Sequence, residues 1–195
     1  NLLKAPKLAD TLLCVGTAPA IKLDGSVPVQ VPPPPTFNNT ADFEIFKALF
    51  QTSKSPNSPI GVAGVTPAIF GPNVIRSVCI NVDHGYTDDL DIFLEAPNGK
   101  RIILSSDNGG NGNNYTNTCF TPTAPVKITA GTAPFTGNFA PEEPFSDLYG
   151  SPVNGIWRLK IIDDQNGING TLLDWTINFE PSYKVDYAWT PNSNI

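Results

Sequence analysis

Apolar and polar residues alternate along much of the chain after residue 58, which is the two-residue period of half-buried β-strands. In "VIRSVCINV", residues 74–82, Val78, Ile80 and Val82 share one face. Between two such segments, "APNGK" supplies an Asn-Gly pair that is typical of a tight hairpin turn. Further strands are predicted in "DLDIFLEAP", "KRIILSS", "PVKITA", "NGIWRLKIID" and "GTLLDWTINFE". Several short strands separated by turn residues indicate an all-β sandwich.

The last two strands are predicted to form a terminal hairpin that buries both Trp157 and Trp175. Strict alternation in "GTLLDWTINFE" places Leu173 on the same inner face as Trp175. Because the two tryptophans face the core, they are poor candidates for a ligand-binding surface.

The segment before residue 58 has a different pattern. Phe43, Phe46 and Phe50 recur at helical spacing, and Pro56 follows them, so we predict a short N-terminal helix here. Before it, four consecutive prolines favour an extended spacer. The predicted organisation is an extended arm with a proline-rich spacer (residues 1–35), a helical connector (36–57), a β-sandwich (58–180), and a C-terminal strand or the start of a following domain (181–195).

Composition narrows the class of protein. Only 15% of the residues are charged, and 20 prolines and 16 glycines fit a fold with many short strands. The net charge of −6 argues against binding to nucleic acid or to an anionic membrane. No run of eighteen apolar residues exists, so we expect no membrane insertion. The sequence contains no methionine, and we expect it to be a processed piece of a longer precursor.

Three cysteines are present, at positions 14, 79 and 119. Cys79 and Cys119 lie in strand-like segments, and a disulfide between them is the use we favour, which would place the protein outside the cytoplasm. Two buried free thiols are the alternative. Cys14 has no assigned partner.

Three segments taken together resemble the P domain (P/Homo B domain) that follows the subtilisin-like catalytic domain of proprotein convertases and occurs in many secreted bacterial proteins. The matching segments are "VCINVDHGYTDDLDIFLEAPNGKRIILSSDNGGNGNNYTNTCF", "APFTGNFAPEEPFSDLYG" and "NGIWRLKIIDDQNGINGTLLDWTINFE". The resemblance covers residues 58–180 and implies a jelly-roll β-sandwich with no catalytic activity of its own, and the extended terminal arms predicted above lie outside it. It also implies calcium, although "Gly-Asn-Asn" at positions 112–114 stands where the family often has Gly-Asp-Asn.

We derive two functional hypotheses from this resemblance and a third from the extended ends of the chain. The first is a calcium-stabilised structural or adhesive module of a larger secreted or cell-surface protein, whose partners are other domains or copies of that protein. The second is an accessory domain that stabilises or regulates a subtilisin-like protease domain. The third is a subunit of an extracellular filament, in which a terminal arm adds as a strand to a neighbouring copy.

The acidic and amide residues of the resembling segment form a candidate calcium site. Calcium prefers six to eight oxygen ligands from carboxylates, amides and carbonyls. Asp89 and Asp91 lie at the start of one predicted strand, Asp107 ends the next, and Asn113 and Asn114 follow a glycine-rich loop. The alternative is that these residues only form turns and cap backbone N–H groups.

Catalysis is not expected. His84 is the only histidine, no Gly-x-Ser-x-Gly motif is present, and we predict that His84 is a structural hydrogen-bonding residue. Tyr86, Tyr115 and Tyr149 fall in predicted loops, where exposed rings are candidates for sugar or partner contacts.

Three Asn-x-Thr sequences are candidate glycosylation sites. They begin at Asn38, Asn114 and Asn169.

Overall fold

The computed structural model describes residues 33–46, 57–165 and 167–181, and these residues form two packed β-sheets. This confirms the predicted all-β sandwich. Within the described part, the strands are β1 (Thr36–Asn39), β2 (Phe43–Ile45), β3 (Asn57–Val62), β4 (Ile75–Asp83), β5 (Leu90–Glu95), β6 (Arg101–Ser106), β7 (Tyr115–Phe120), β8 (Phe135–Phe139), β9 (Gly155–Asp163) and β10 (Gly170–Phe179).

One sheet has the order β1-β10-β4-β7-β8, with β2 also paired to β10, and the other has the order β3-β9-β5-β6. All pairs are antiparallel except β7 with β8. The hairpin between β5 and β6 is closed by the predicted Asn-Gly turn, in which Gly99 has a positive φ of 84°. Among the described residues, no helix has the length and hydropathy that crossing a bilayer requires.

The core lies between the two sheets and is built from the alternating apolar positions. Trp157 and Trp175 are completely buried, as predicted. Their indole N–H groups donate to the Val153 carbonyl at 2.8 Å and to the Ser58 hydroxyl at 2.9 Å. Because both polar atoms are satisfied, the two rings bury their apolar area without an unpaired donor.

The prediction that Leu173 faces the core is wrong. The pairing of β10 with β4 shifts its register between Leu172 and Asp174, and this β-bulge places Leu172 in the core. Leu173 is instead 42% exposed. A bulge adds one residue to a strand, so it reverses the side of the sheet on which preceding residues lie.

The predicted helix is also wrong where the structure describes it. Phe43 lies in β2, which pairs with Gly170–Leu172 at the edge of the sheet. Strand pairing satisfies the backbone groups there and buries Ile45 completely, which outweighs the helical spacing of the phenylalanines. Residues 47–56, including Phe50 and Pro56, lie outside the described residues. The same holds for residues 1–32 of the predicted N-terminal arm (1–35) and residues 182–195 of the predicted C-terminal segment (181–195).

The prediction of a strand in "PVKITA" is wrong, because this segment forms a 3-10 helix over Ile128–Ala130. Lys127 forms a single parallel bridge with Ala140. Ile128 is the buried residue of this helix, so one anchoring side chain replaces the alternating burial of a strand.

Candidate functional site

Acidic side chains converge at one end of the sandwich, where β4, β6 and β9 end and where β5, β7 and β10 begin. The loops at this end are in contact through their backbones. The Asp164 N–H donates to the Asp89 carbonyl at 3.1 Å, and the Asp107 N–H donates to the Leu90 carbonyl at 3.3 Å. We refer to this region, formed by residues 84–91, 107–114 and 163–165, as the acidic end.

Asp89 and Asp107, two of the predicted calcium ligands, carry raised pKa values. Partial burial is the largest cause for Asp89, followed by the neighbouring charges of Asp88 and Asp163. Partial burial also leads for Asp107, followed by Asp91 and Asp164. The neighbouring carboxylates therefore disfavour ionisation of Asp89 and Asp107, and a bound cation would relieve that repulsion.

Asp91 and Asn114 have partners within the protein. The Ser106 hydroxyl donates to Oδ1 of Asp91 across the β5–β6 pair. Oδ1 of Asn114 accepts the His84 N–H at 2.9 Å, and the Asn114 N–H donates to the His84 carbonyl at 3.0 Å. The Asn114 amide oxygen thus serves the backbone of the loop, whereas Asn113 is exposed.

The glycine-rich loop is explained by packing. Gly109 has a φ of 92°, and a side chain there would meet Thr87, Phe135 and Ala133. The Thr87 N–H donates to the Gly112 carbonyl at 2.8 Å, so the loop holds the 3-10 helix Thr87–Asp89 in place. Turn formation therefore accounts for the glycines and Asn114, but not for the clustered carboxylates.

His84 is 1% exposed and lies beneath the acidic end. Its Nδ1 is 2.6 Å from the Tyr86 carbonyl oxygen, as expected of a structural hydrogen-bonding residue. Its Nε2 is 3.6 Å from Oδ2 of Asp163. Three buried atoms at this end have no hydrogen-bond partner among the described residues: Nε2 of His84, Oδ2 of Asp163 and Oγ1 of Thr87.

The residues present fit a cation in charge and in donor type, because Oδ2 of Asp163 is a buried oxygen without a hydrogen-bond partner in the described part and Asp163 lies close enough to Asp89 to raise its pKa. Side chains alone do not form the site, because no group of three acidic, histidine or cysteine side chains in the described part could hold a metal ion. Backbone carbonyls, which calcium accepts readily, would have to complete the coordination. The terminal hairpin predicted from the sequence gave no indication that its loop meets Asp89.

Glu142 and Glu143 cover the edge of the four-stranded sheet. Oε1 of Glu142 accepts the Ser106 N–H at 2.7 Å, and Oε2 of Glu143 accepts the Ile103 N–H at 2.7 Å. The Glu142 and Glu143 N–H groups donate to carbonyls of β6 at 3.3 Å and 3.1 Å. This segment therefore occupies backbone groups of β6 that an added strand would need.

A disulfide joins Cys79 and Cys119 with an S–S distance of 2.08 Å. The two residues face each other in the β4–β7 pair, so the bond links two strands of the same sheet.

Two of the three predicted loop tyrosines are exposed, Tyr86 at 40% and Tyr149 at 39%. The prediction for Tyr115 is wrong, because it lies in β7 and is buried against Phe135, with ring centroids 4.9 Å apart. Its hydroxyl is 3.0 Å from Oγ of Ser105, and burial raises its pKa.

The candidate glycosylation sites remain predictions, and their settings differ. Asn38 and Asn169 are exposed, whereas the amide of Asn114 is held by His84.

The sequence and fold of this sandwich resemble those of domains in known proteins. The family model "Proprotein convertase P-domain" matches residues 76–179, just over half of the chain. Leupeptin-inactivating enzyme 1 of Streptomyces exfoliatus is 28% identical over 149 residues, covering 76% of this chain and 27% of that protein. Transglutaminase-activating metalloprotease of Streptomyces mobaraensis is 25% identical over 149 residues, covering 74% of this chain and 16% of that protein.

A crystal structure of a serine protease of Aeromonas sobria matches with a TM-score of 0.40 at 21% identity, covering 75% of this chain and 27% of that chain. The chain thus spans about a quarter or less of the length of the curated relatives it matches.

Proposed function

Because this chain belongs to the proprotein convertase P-domain family, we propose that it is a non-catalytic accessory domain that stabilises or regulates the protease domain of a larger extracellular protein. The observation that carries the proposal is the family match, together with a relative that is a metalloprotease by name and is several times longer than the aligned region. These relatives favour the accessory role over a structural or adhesive module and over a filament subunit.

Two features of the described residues support this role. His84, the only histidine of the sequence, is buried and directed at Asp163, so it is not available to a substrate. The Cys79–Cys119 disulfide suits an oxidising extracellular compartment.

The test uses the full-length product of the gene that encodes this chain. We expect that deleting residues 33–181 shortens the half-life of its proteolytic activity on heating, whereas the intact protein keeps its activity for longer. A full-length variant with Trp175→Ala, which leaves a cavity in the sandwich core, should fall between the two. A gene product without a protease domain, or equal half-lives for all three proteins, would rule the proposal out.

We further propose that calcium stabilises the domain at the acidic end, with Asp89 and Asp163 as carboxylate ligands and backbone carbonyls completing the coordination. The support is the raised pKa values of Asp89 and Asp107, caused first by partial burial and then by neighbouring carboxylates, and the orphaned Oδ2 of Asp163. Asp91 would contribute less, since Ser106 already donates to it.

Thermal unfolding with calcium and with excess chelator tests this part. A ligand that binds only the native state at 100 times its Kd adds about 2.7 kcal/mol, which is about 5–10 °C in Tm for a domain of this size. Asp89→Asn should abolish the calcium-dependent shift, and Asp147→Asn, an exposed carboxylate in the 3-10 helix Phe145–Leu148, should leave it unchanged. Equal Tm values with calcium and with chelator would refute the calcium proposal and leave the accessory role standing.

A further inference from the structure

A groove with a volume of about 980 Å³ lies at the end of the sandwich opposite to the acidic end. The start of β4, the segment after β7 and the end of β10 form its walls, together with Tyr149. Three of its lining residues are prolines: Pro72, Pro122 and Pro181.

Part of this otherwise largely polar lining suits aromatic side chains. Tyr149 is partly exposed, and its ring is held in place by Phe70, with centroids 5.9 Å apart. Arg76 is exposed and has no ion-pair partner among the described residues. Proline rings and a guanidinium group both pack well against the faces of tyrosine and tryptophan.

The chain itself leads from the groove wall into an aromatic segment. Glu180 and Pro181 line the groove, and the Glu180 N–H donates to the Val74 carbonyl at 2.8 Å. The following residues read "SYKVDYAWTPNSNI", in which Tyr183, Val185, Tyr187 and Trp189 occupy alternating positions. Such a pattern puts all four on one side of an extended strand.

The segment is long enough for the groove. Eight extended residues reach about 26 Å, whereas the three strand-to-strand steps from β10 across β4 and β7 to β8 cover about 14 Å. Residues 182–189 can therefore cross the end of this sheet from Pro181.

We propose that residues 182–189 dock in this groove of the same chain and place their alternating aromatic side chains against Tyr149, Arg76 and the three prolines. The sandwich then continues directly into the docked segment, so that whatever follows residue 189 is held in a fixed direction relative to the domain. This inference is independent of the accessory role and of calcium.

Tryptophan fluorescence tests the docking cleanly. The sequence has three tryptophans, and Trp157 and Trp175 are completely buried, so the difference between the wild-type chain and its Trp189→Phe variant isolates the emission of Trp189. We expect a blue-shifted difference spectrum and several-fold weaker acrylamide quenching than in a free peptide of residues 182–195. Emission and quenching equal to those of the peptide would overturn the proposal.

Matched variants locate the contact. Tyr149→Ala should raise the quenching of Trp189 towards that of the peptide, and Arg76→Gln should do so in part. Tyr86→Ala, which removes an equally exposed tyrosine at the acidic end, should leave the quenching unchanged. Insensitivity to both groove variants, or an equal response to Tyr86→Ala, would contradict the proposal. Protection that disappears on dilution would assign the segment to a second copy and would also overturn it.

Discussion

Removal of the Cys79–Cys119 disulfide provides a direct test of how the sandwich is stabilised. Both residues are only half-buried, so serine at both positions sacrifices little core packing. The bond closes a loop with a sequence separation of 40, and this loop contains β5 and β6 of the opposite sheet. The disulfide therefore restricts a part of the unfolded chain that supplies strands to both sheets.

The magnitude follows from the length of the loop. For about 40 residues, the chain-entropy relation gives about 13 cal/mol/K, or about 4 kcal/mol at 25 °C. For a domain of this size, a loss of about 4 kcal/mol lowers Tm by about 8–16 °C. This is a large share of the total stability of about 5–15 kcal/mol that is typical of folded proteins.

The assay is urea unfolding of the oxidised protein and of a Cys79→Ser/Cys119→Ser variant, both carrying Cys14→Ser so that no third thiol exchanges. A reductant should lower the stability of the first protein to that of the second, and it should leave the second unchanged. A difference below about 1 kcal/mol between the two oxidised samples would refute the argument from loop entropy.

Four further substitutions separate packing from charge. In thermal unfolding, Gly109→Ala should lower the unfolding free energy by about 2–4 kcal/mol, because the added side chain clashes and φ is positive. Gly110→Ala, which has open space around it but also a positive φ, should lower it by about 1–2 kcal/mol. Equal losses for the two variants would contradict this reasoning. Glu142→Ala should cost about 1.5–3 kcal/mol in urea unfolding, because the Ser106 N–H loses its charged acceptor. Asp107→Asn in chelator should raise Tm at pH 7, because a raised pKa means that the ionised group destabilises the fold. That gain should shrink as the pH falls through the folded pKa and vanish below about pH 4, and a lower Tm at pH 7 would contradict it.

Alternation predicted β4 correctly because Val78, Ile80 and Val82 are each flanked by polar or smaller residues, so one register buries all three. In β10, Leu172 and Leu173 are chemically identical, and their order carries no information about which one faces the core. The bulge that decides between them comes from the pairing with β4.

The error in β2 has a similar origin. Phe43 and Phe46 match a helical spacing as well as they match a short edge strand, because three residues are too few to establish a period. The free edge of β10 supplies the hydrogen bonds that decide the outcome, and the sequence does not reveal that edge.

The candidate calcium site was predictable only within one hairpin. Asp91 and Asp107 belong to neighbouring strands of a tight turn, so their proximity follows from the sequence. Asp163 meets Leu90 because β9 lies beside β5, and this neighbour relation depends on the strand order of the whole sheet. The burial of Tyr115 depends equally on β7 lying between β4 and β8.

The two ends of the sandwich are separated by the length of β4, which runs from Ile75 at the groove to Asp83 at the acidic end, about 25–30 Å at the rise of an extended strand. The start of β1 lies at the same end of the sandwich as the groove, because the Phe179 N–H donates to the Pro35 carbonyl at 2.9 Å. Substitutions so far apart should act independently. We therefore expect the losses in unfolding free energy from Asp89→Asn, measured with calcium, and from Tyr149→Ala to add within about 0.5 kcal/mol in the double variant. A larger coupling would mean that calcium binding at the acidic end and the contacts of Tyr149 at the groove influence one another through the core. Neither the sheet order nor the separate sets of contacts at the two ends would explain such a coupling.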